Sequence, residues 1–353
     1  MVDSYEAARS YYQTELAAGV ERFFQSRRDS CPWCGATELS VWLRTPDLYQ
    51  GKPGRFTLEK CGRCQHIFQN PCLASAGLNF FYRDFYDGLG QQLWDRLFQA
   101  QTSAYHGRAE MLRPFTAPKA WLDVGAGHGH FCQAARQVWP NTVFDGLDQS
   151  VRIKEAEHHG RVCHAFQGEF PTLLDDLTGR YDVVSMHHYL EQTKEPFEEL
   201  DTVGKVLLPG GYLLIEVPDP EYWFGRVFGR LWIGWFQPQH QHMIPLQNLI
   251  TALADRGFST VSVQHEKANL GVGLAGCLAL ALNNWAPDPK LPWITATPTV
   301  WRRLRHIAAW VSSIPLLVSV YIFGNLLYYL MHYAHRRQTY NGDVYRVLAQ
   351  KDS

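Results

Sequence analysis

The stretch Trp121-Leu122-Asp123-Val124-Gly125-Ala126-Gly127-His128-Gly129-His130-Phe131 constrains the fold more than any other part of the chain. A short apolar strand, Ala120 to Val124, runs into three glycines at alternate positions and then into a helix. Glycines at this spacing let the backbone turn sharply and approach a ligand with no Cβ in the way. The helix that follows points its first N–H groups at the same place. The pattern is D-x-G-x-G-x-G and differs from the G-x-G-x-x-G dinucleotide fingerprint, whose third glycine comes one residue later. Asp123 closes the strand, and a carboxylate there suits a cationic or hydroxyl-bearing ligand better than a pyrophosphate, which it would repel. A tight turn with no ligand is the alternative reading of the glycines alone.

From Lys119 onward strands and helices alternate. Strand Ala120–Val124 leads to helix Gly129–Val138, strand Thr142–Asp148 to helix Ser150–His158, and strand Arg161–Phe166 to a helical Leu173–Leu177. Strand Tyr181–His187, helix Pro196–Leu207 and strand Gly211–Val217 follow. The later strands are continuous apolar runs, as expected where helices cover both faces. This alternation predicts an α/β, doubly wound, Rossmann-like parallel sheet with ligands at the carboxyl ends of its strands. Asp148 ends the second strand roughly twenty residues after the glycines, where an acidic side chain accepts hydrogen bonds from a ribose diol. Taken alone it is equally a helix N-cap. With 353 residues the chain can form one large domain and a small one. A formal charge of −1 supports neither polyanion binding nor an acidic tail.

Upstream, Cys31-Pro32-Trp33-Cys34 and Cys61-Gly62-Arg63-Cys64 flank two predicted strands (Leu39, Val41, Leu43; Phe56, Leu58) joined by the polar turn Gln50–Gly54. Two C-x-x-C knuckles held by a hairpin place four thiolates, Cys31, Cys34, Cys61 and Cys64, at the corners of a tetrahedron suited to structural zinc. Redox dithiols are the alternative, but no strand-to-helix context follows either pair. Cys72, Cys132, Cys163 and Cys277 read as free thiols, and His66 as a surface residue or one behind the ligands. This cysteine usage favours a reducing compartment. Residues 3–27 predict one amphipathic helix. With Asp3, Glu6 and Glu15 and no apolar run, residues 1–28 are not expected to be a secretory signal. Residues 78–117 read as aromatic and irregular (Phe80-Phe81-Tyr82, Phe85-Tyr86), then helical from Gln91 to Leu112, a linker that could cover a ligand.

Over residues 119–267 these features resemble the class I S-adenosylmethionine-dependent methyltransferases. LDVGAGHGHF is similar to their first motif, FDGLDQS to the acidic end of the second strand, and YDVVSMHHYLEQTKEP to the fourth-strand motif. VGKVLLPGGYLLIEVP resembles the helix, Pro-Gly-Gly turn and fifth strand. HMIPLQNLITALADRGF resembles the segment before the sixth strand, and GDVYRVLAQK a last strand. The cysteine knuckles resemble those of a bacterial subgroup that includes sugar C-methyltransferases, whose long C-terminal domain this chain lacks. The resemblance implies a seven-stranded sheet. It also implies that Asp123, Gly125, Gly127 and Gly129 surround the methionine part of S-adenosylmethionine and that Asp148 takes the ribose hydroxyls. Glu169 and Phe170 would lie beside adenine, and His187 next to the sulfonium. Where the family often has Leu-Glu-His, this chain has Leu190-Glu191-Gln192, which removes one possible base.

Methyl transfer from a sulfonium is an in-line displacement, so the enzyme mainly aligns the partners and excludes water. A general base helps where the acceptor is a hydroxyl or an acidic carbon. His188 and His240 are the leading candidates, with His187 and His242 behind them; the alternative for each is that it simply satisfies nearby backbone groups. A metal at His240 and His242 lacks a third ligand in sequence.

Residues 221–236 mix aromatics with Arg226 and Arg230, which reads either as an interfacial segment or as an aromatic lid over the acceptor. Ile307 to Met331 is uncharged and long enough to span a bilayer. Arg302, Arg303 and Arg305 flank one end and Arg336 and Arg337 the other, and the last strand must return to the sheet. Pro315 and Gly324-Asn325 would allow a broken, shallow hairpin or two interfacial helices, so monotopic attachment is expected, against internal packing or a true crossing. The expected divisions are a helix (1–28), a zinc ribbon (29–72), a linker or cap (73–118), the cofactor-binding core (119–267), a hydrophobic helical insertion (268–340) and a final strand (341–353). The function read from these features is methyl transfer to an amphipathic or lipid-linked acceptor at the cytoplasmic membrane face, with peripheral contact through 221–236 and 307–331 and no nucleic acid. The alternatives are a soluble nucleotide-sugar or polyketide-type acceptor, or a non-catalytic zinc-containing binding module.

Overall fold

The computed structural model describes residues 2–85, 101–266, 273–294, 299–334 and 342–352, with side chains from 8 onward and, in the last long helix, up to 326. It divides into two compact units. One comprises Met1–Arg83, Glu221–Gln241 and Gly271–Gln338, the other Asp84–Pro220, His242–Leu270 and Thr339–Ser353. Segment 221–241, expected inside the cofactor-binding core, thus groups with the cysteine-rich unit.

In the first unit, helix α1 (Val2–Ala17) is shorter than the 3–27 expected. Gly19, at φ +82°, turns the chain and its N–H donates to the Leu16 carbonyl, which closes the helix end. Strands β1 (Leu39–Thr45) and β2 (Phe56–Cys61) form the expected antiparallel hairpin, and β3 (Ile67–Gln69) adds a third strand beside β2. Lys52, in the turn read as polar, is in fact buried. Its Nζ donates to the carbonyls of Phe80 (2.7 Å), Phe81 (3.2 Å) and Arg83 (2.6 Å), at the carboxyl end of helix α2 (Ser75–Tyr82). A cation there satisfies orphan carbonyls and opposes the negative end of the helix dipole. The run Phe80-Phe81-Tyr82 is therefore helical and not irregular. Phe80 and Phe81 pack with Tyr12, Phe23 and Phe56 in one apolar cluster.

The second unit opens, within the described residues, on helix α3 (Thr102–Glu110). The earlier part of the predicted helix, residues 91–100, lies outside the described residues, as does Tyr86. Then come β4 (Ala120–Val124), α4 (His130–Val138), β5 (Val143–Asp148), α5 (Arg152–His158), β6 (Ala165–Gln167), α6 (Leu174–Leu177) and β7 (Tyr181–His187). They continue with α7 (Pro196–Val206), β8 (Leu207–Pro218), α8 (Leu246–Ala254), β9 (Phe258–Glu266) and β10 (Val344–Lys351). The seven strands form one sheet in the order β9-β10-β8-β7-β4-β5-β6. It is parallel except for β10, which runs antiparallel to both β8 and β9. The sheet is therefore mostly, not wholly, parallel. The apolar face of β4, β7, β8 and β10 packs Trp121, Val183, Leu214 and Leu348 against Phe131, Ala135 and Tyr105 of α4 and α3.

Between β9 and β10 the chain forms α9 (Gly273–Trp285) and α10 (Val300–Ala334), both in the first unit. α10 runs unbroken through Pro315, so the expected hairpin is absent. Arg336 and Arg337 lie outside the described residues.

Candidate active site

β4 lies between β5 and β7, so the order of strands reverses beside it, and an open α/β sheet leaves a crevice at the carboxyl ends of such a pair. Asp123 stands at that end, buried, its Oδ1 accepting from Ser185 Oγ at 2.6 Å; Ser185 in turn accepts from Trp121 Nε1 at 2.8 Å. Burial pushes the Asp123 carboxyl up to about 7, partly opposed by the Ser185 hydroxyl and Arg108.

The three glycines all have positive φ (+78°, +51° and +71°), but for different reasons. A Cβ on Gly125 would meet Tyr189 Cδ2 at 2.7 Å, and one on Gly129 would press on Ala156, Arg161 and Val162 at 3.1–3.2 Å. A Cβ on Gly127 would enter open space, with Arg152 Nη1 nearest at 3.8 Å. Only Gly127 leaves its backbone open to an approaching group. Asp148 binds this loop: its Oδ2 accepts from Gly127 N (2.9 Å), while Oδ1 accepts from Ser150 N (2.8 Å) and Ser150 Oγ (2.7 Å). It is thus a turn cap and a neighbour of the open glycine at once. Glu169 is exposed, and the Phe170 ring is fully enclosed by protein. A purine beside them would meet Glu169 and backbone, not the face of that ring.

His187 ends β7 and His188 follows it. The His187 ring packs edge-on to Phe131 at 4.5 Å, and neither of its buried nitrogens has a hydrogen-bond partner among the described residues. Burial, with Arg108 nearby, holds it well below the usual imidazole range and so neutral. His188 sits at φ +52°, its Nδ1 3.2 Å from Glu191 and its Nε2 3.2 Å from Glu216. Burial works against its charge, but these two carboxylates outweigh burial and lift it to about 9. Gln192, at the position where a base was missing from the motif, donates from Nε2 to the His188 carbonyl at 2.6 Å and helps hold its left-handed backbone.

Glu216 is the hub of a buried charge cluster. Its carboxylate accepts from Arg108 (Nε at 3.1 Å, and Nη2) and from Arg346 Nε, and these cations hold it ionised in spite of burial. His187, Glu216 and Arg346 face one another across β7, β8 and β10. Sequence reasoning missed Ser185, Tyr189, Glu199, Arg108, Glu216 and Arg346. Arg108, on helix α3, and Arg346, on β10, are 238 residues apart in sequence, and only the folded sheet with the helix packed on it brings both to Glu216.

Of the other two histidines, His242 belongs to this unit and its Nε2 lies 3.3 Å from the Lys194 carbonyl. His240 belongs to the cysteine-rich unit, where its Nδ1 lies 3.0 Å from the Gly234 carbonyl and its ring packs on Phe236. Each has a backbone carbonyl within reach.

In that unit the Sγ atoms of Cys31, Cys34, Cys61 and Cys64 all lie within 4.8 Å of one another, with Cys31–Cys64 and Cys34–Cys61 at 3.6 Å. Sulfurs about 2.3 Å from a tetrahedral zinc stand roughly 3.8 Å apart, so the donor set fits such an ion. Without one, burial pushes the Cys31 thiol up to about 11. His66 is buried between Trp33 and Phe68, not on the surface. All eight cysteines are free of disulfides.

Residues 96–263 match the family model described as a methyltransferase domain. The chain carries a methyltransferase domain. Its methyl donor is S-adenosylmethionine. A segment of 115 residues is 27% identical to the non-reducing polyketide synthase adrD of Penicillium rubens, covering 32% of this chain and 5% of that protein. Similar solved structures include S-adenosylmethionine-dependent methyltransferases of Archaeoglobus fulgidus and Thermotoga maritima. The first is 16% identical, with 74% of this chain and 99% of that chain covered and a TM-score of 0.45. The second is 15% identical, with 74% and 96% covered and a TM-score of 0.44. At the glycine loop this domain brings together an open glycine, Gly127, the carboxylates of Asp123 and Asp148, and the His187 imidazole, whose nitrogens have no hydrogen-bond partner among the described residues. When bound, the donor supplies an electrophilic methyl on a cationic sulfur.

Proposed function

We propose that this methyltransferase acts on an amphipathic or lipid-linked acceptor at a membrane face. The observation that supports this reading is α10. Val300–Leu326 has a mean hydropathy of 1.9 over its most apolar window, and only 6% of that window is buried. Its less exposed positions (His306, Ala309, Trp310, Ser313, Leu317, Val320) recur at helical spacing, and α10 packs along α9. The other faces present Ile307, Val311, Ile314, Val318 and Ile322 to the surroundings. A crossing is disfavoured by connectivity. β10 is hydrogen-bonded to β8, and the nine residues 335–343, Arg336 and Arg337 among them, are too few and too charged to recross about 30 Å of hydrocarbon as a helix. A helix lying in the interface, with Arg302, Arg303 and Arg305 at its start, satisfies both constraints.

Within the cradle, Asp148 takes the ribose hydroxyls, the Gly127 backbone lies along the methionine part, and Glu169 lies beside adenine. His187, neutral and unpartnered, suits contact with the reacting groups. His188, an imidazolium between two carboxylates, has no lone pair to offer and is a poor base. The four cysteines hold a structural zinc, with no open position for chemistry. A polyketide-type acceptor is the second reading, favoured by the short match to the polyketide synthase.

Incubation of the full-length protein with methyl-labelled S-adenosylmethionine and vesicles of extracted membrane lipid tests the first reading. Label in the lipid phase, and protein that floats with the vesicles, are expected. Label that moves only to soluble polyketide-type acceptors, with protein left in the supernatant, would favour the second.

A further inference from the structure

The cysteine-rich unit is lopsided in charge as well as in polarity. Its later segments, 222–241 and 271–338, carry eight arginines and lysines against one acid, Asp288, although the whole chain has a formal charge of −1. Three of those cations, Arg302, Arg303 and Arg305, stand exposed in the first turns of α10, and none of the three takes part in an ion pair among the described residues. Arg303 and Arg305 precede and follow Leu304. At about 100° per residue they leave the helix on either side of the exposed stripe Leu304, Ile307, Val311, Ile314 and Val318. Two indoles lie at the same end: Trp301, 80% exposed at the start of α10, and Trp285, 63% exposed at the end of α9. His306 Nδ1 donates to the Ala286 carbonyl at 2.8 Å and so pins that end of α9 to α10. A second basic and aromatic element adjoins α9 through the short helix Trp223–Phe228 and the neighbouring Arg230. A Cβ on Gly273 would stand 3.7 Å from the Phe224 ring, and Arg230 borders one small cavity with Leu280. Trp223, Arg226, Val227 and Arg230 are all exposed.

We propose that this basic and apolar face binds a bilayer surface rich in anionic lipid, with Arg302, Arg303 and Arg305 on the headgroup phosphates. The inference rests on the membrane-face reading of α10 and adds to it the charge of the surface. A guanidinium pairs with phosphate through a planar fork of N–H donors. Its apolar stem lets the charged group reach the headgroups while the stripe on α10 lies among acyl chains. Exposed indoles favour the same depth. A nucleic acid would neutralise the arginines but leave Trp301, Leu304 and Ile307 uncovered. A zwitterionic bilayer would cover the stripe but bring no net counter-charge to three unpaired cations. An anionic bilayer meets both needs. A basic side chain close to such a surface strengthens attachment about fivefold, so the three arginines together contribute about a hundredfold, which salt screens.

The test is flotation of the full-length protein with vesicles of phosphatidylcholine alone and of phosphatidylcholine with about one-third phosphatidylglycerol, at about 0.1 M and about 0.5 M salt. Expected are a partition coefficient higher by about a hundredfold or more on the anionic vesicles at the lower salt, and loss of most of that gain at the higher. The triple variant Arg302→Gln, Arg303→Gln, Arg305→Gln should lose about a hundredfold on anionic vesicles and keep the wild-type partition on neutral ones. If the triple variant fails to fold, the single variant Arg303→Gln, expected to lose about fivefold, takes its place. Equal wild-type partition on both vesicle types, or variants that keep the full gain, overturns the inference while leaving membrane attachment intact. Protein that floats with neither vesicle removes the membrane reading itself; retention on a duplex oligonucleotide in that case would assign the arginines to nucleic acid.

Discussion

His187 and His188 are consecutive in the chain yet held in opposite charge states, which their unperturbed pKa near neutrality does not foretell. The difference lies in what each ring meets: Phe131 and the field of Arg108 for one, two carboxylates for the other. Glu216 governs that contrast. Replacing it, Glu216→Gln, would leave Arg108, Arg346 and His188 without their shared counter-charge, at a cost of about 3–5 kcal/mol. The pH dependence has a definite sign. His188 is raised in the fold, so its contribution is complete below about 6.5 and is lost as pH rises through about 9. Asp123 and Glu199 are raised carboxyls whose contributions are lost earlier, through about 7 and about 8, in wild type and variant alike. Thermal unfolding between about pH 6 and 10 at constant ionic strength should therefore show a lower midpoint in the variant and a smaller alkaline decline. An equal decline in both proteins would remove Glu216 from this role.

At the scale of elements, what was legible depended on whether a segment's partners lie close in sequence. Tyr181–His187 emerges over the expected span because five of its seven residues are buried and its ends are marked by polar neighbours. The glycine loop was legible as a sharp strand-to-helix turn, but not that Gly125 and Gly129 are needed for packing while Gly127 alone of the three is open. Phe80-Phe81 was misread because a cluster of aromatics carries no period, and its helix is completed by Lys52, far off in sequence. The direction of β10 was beyond reach, since an apolar strand reads the same whichever way its neighbours run. α10 was read correctly as apolar and wrongly as broken. Pro315 removes one N–H, and Ser313 Oγ, bonded to the Ala309 carbonyl within the same stretch, is a local hydrogen bond that accompanies the continuous helix. Its open face supplies the prediction at this scale. Lysine at Ile314, Val318 and Ile322 together should abolish flotation with lipid vesicles while leaving helix content and donor affinity unchanged, measured by circular dichroism and cofactor titration. Continued flotation of the triple variant would exclude this face as the contact.

At the scale of the molecule, the chain leaves the cysteine-rich unit and re-enters it twice, yet each unit has its own apolar cluster and its own chemistry. The residues proposed to hold the donor all come from the sheet unit, whereas the four thiols and their small cluster with Phe68 belong to the other. Four thiols this close, two of them buried, cannot ionise together without a cation, and a bound zinc contributes an apparent 10–16 kcal/mol in small zinc-dependent folds at neutral pH. If the four thiols hold the proposed zinc, removing it should unfold the segment around β1 to β3, while the sheet, whose strands and helices bury Trp121, Leu214 and Leu348 independently of any thiolate, remains folded. Chelator treatment of the full-length protein, followed by hydrogen exchange and donor titration, checks this. Exchange protection should collapse across residues 31–69, with the donor Kd within about threefold of its starting value. A parallel loss of donor binding would show that the two units share their stability and that the thiolate site supports catalysis from a distance.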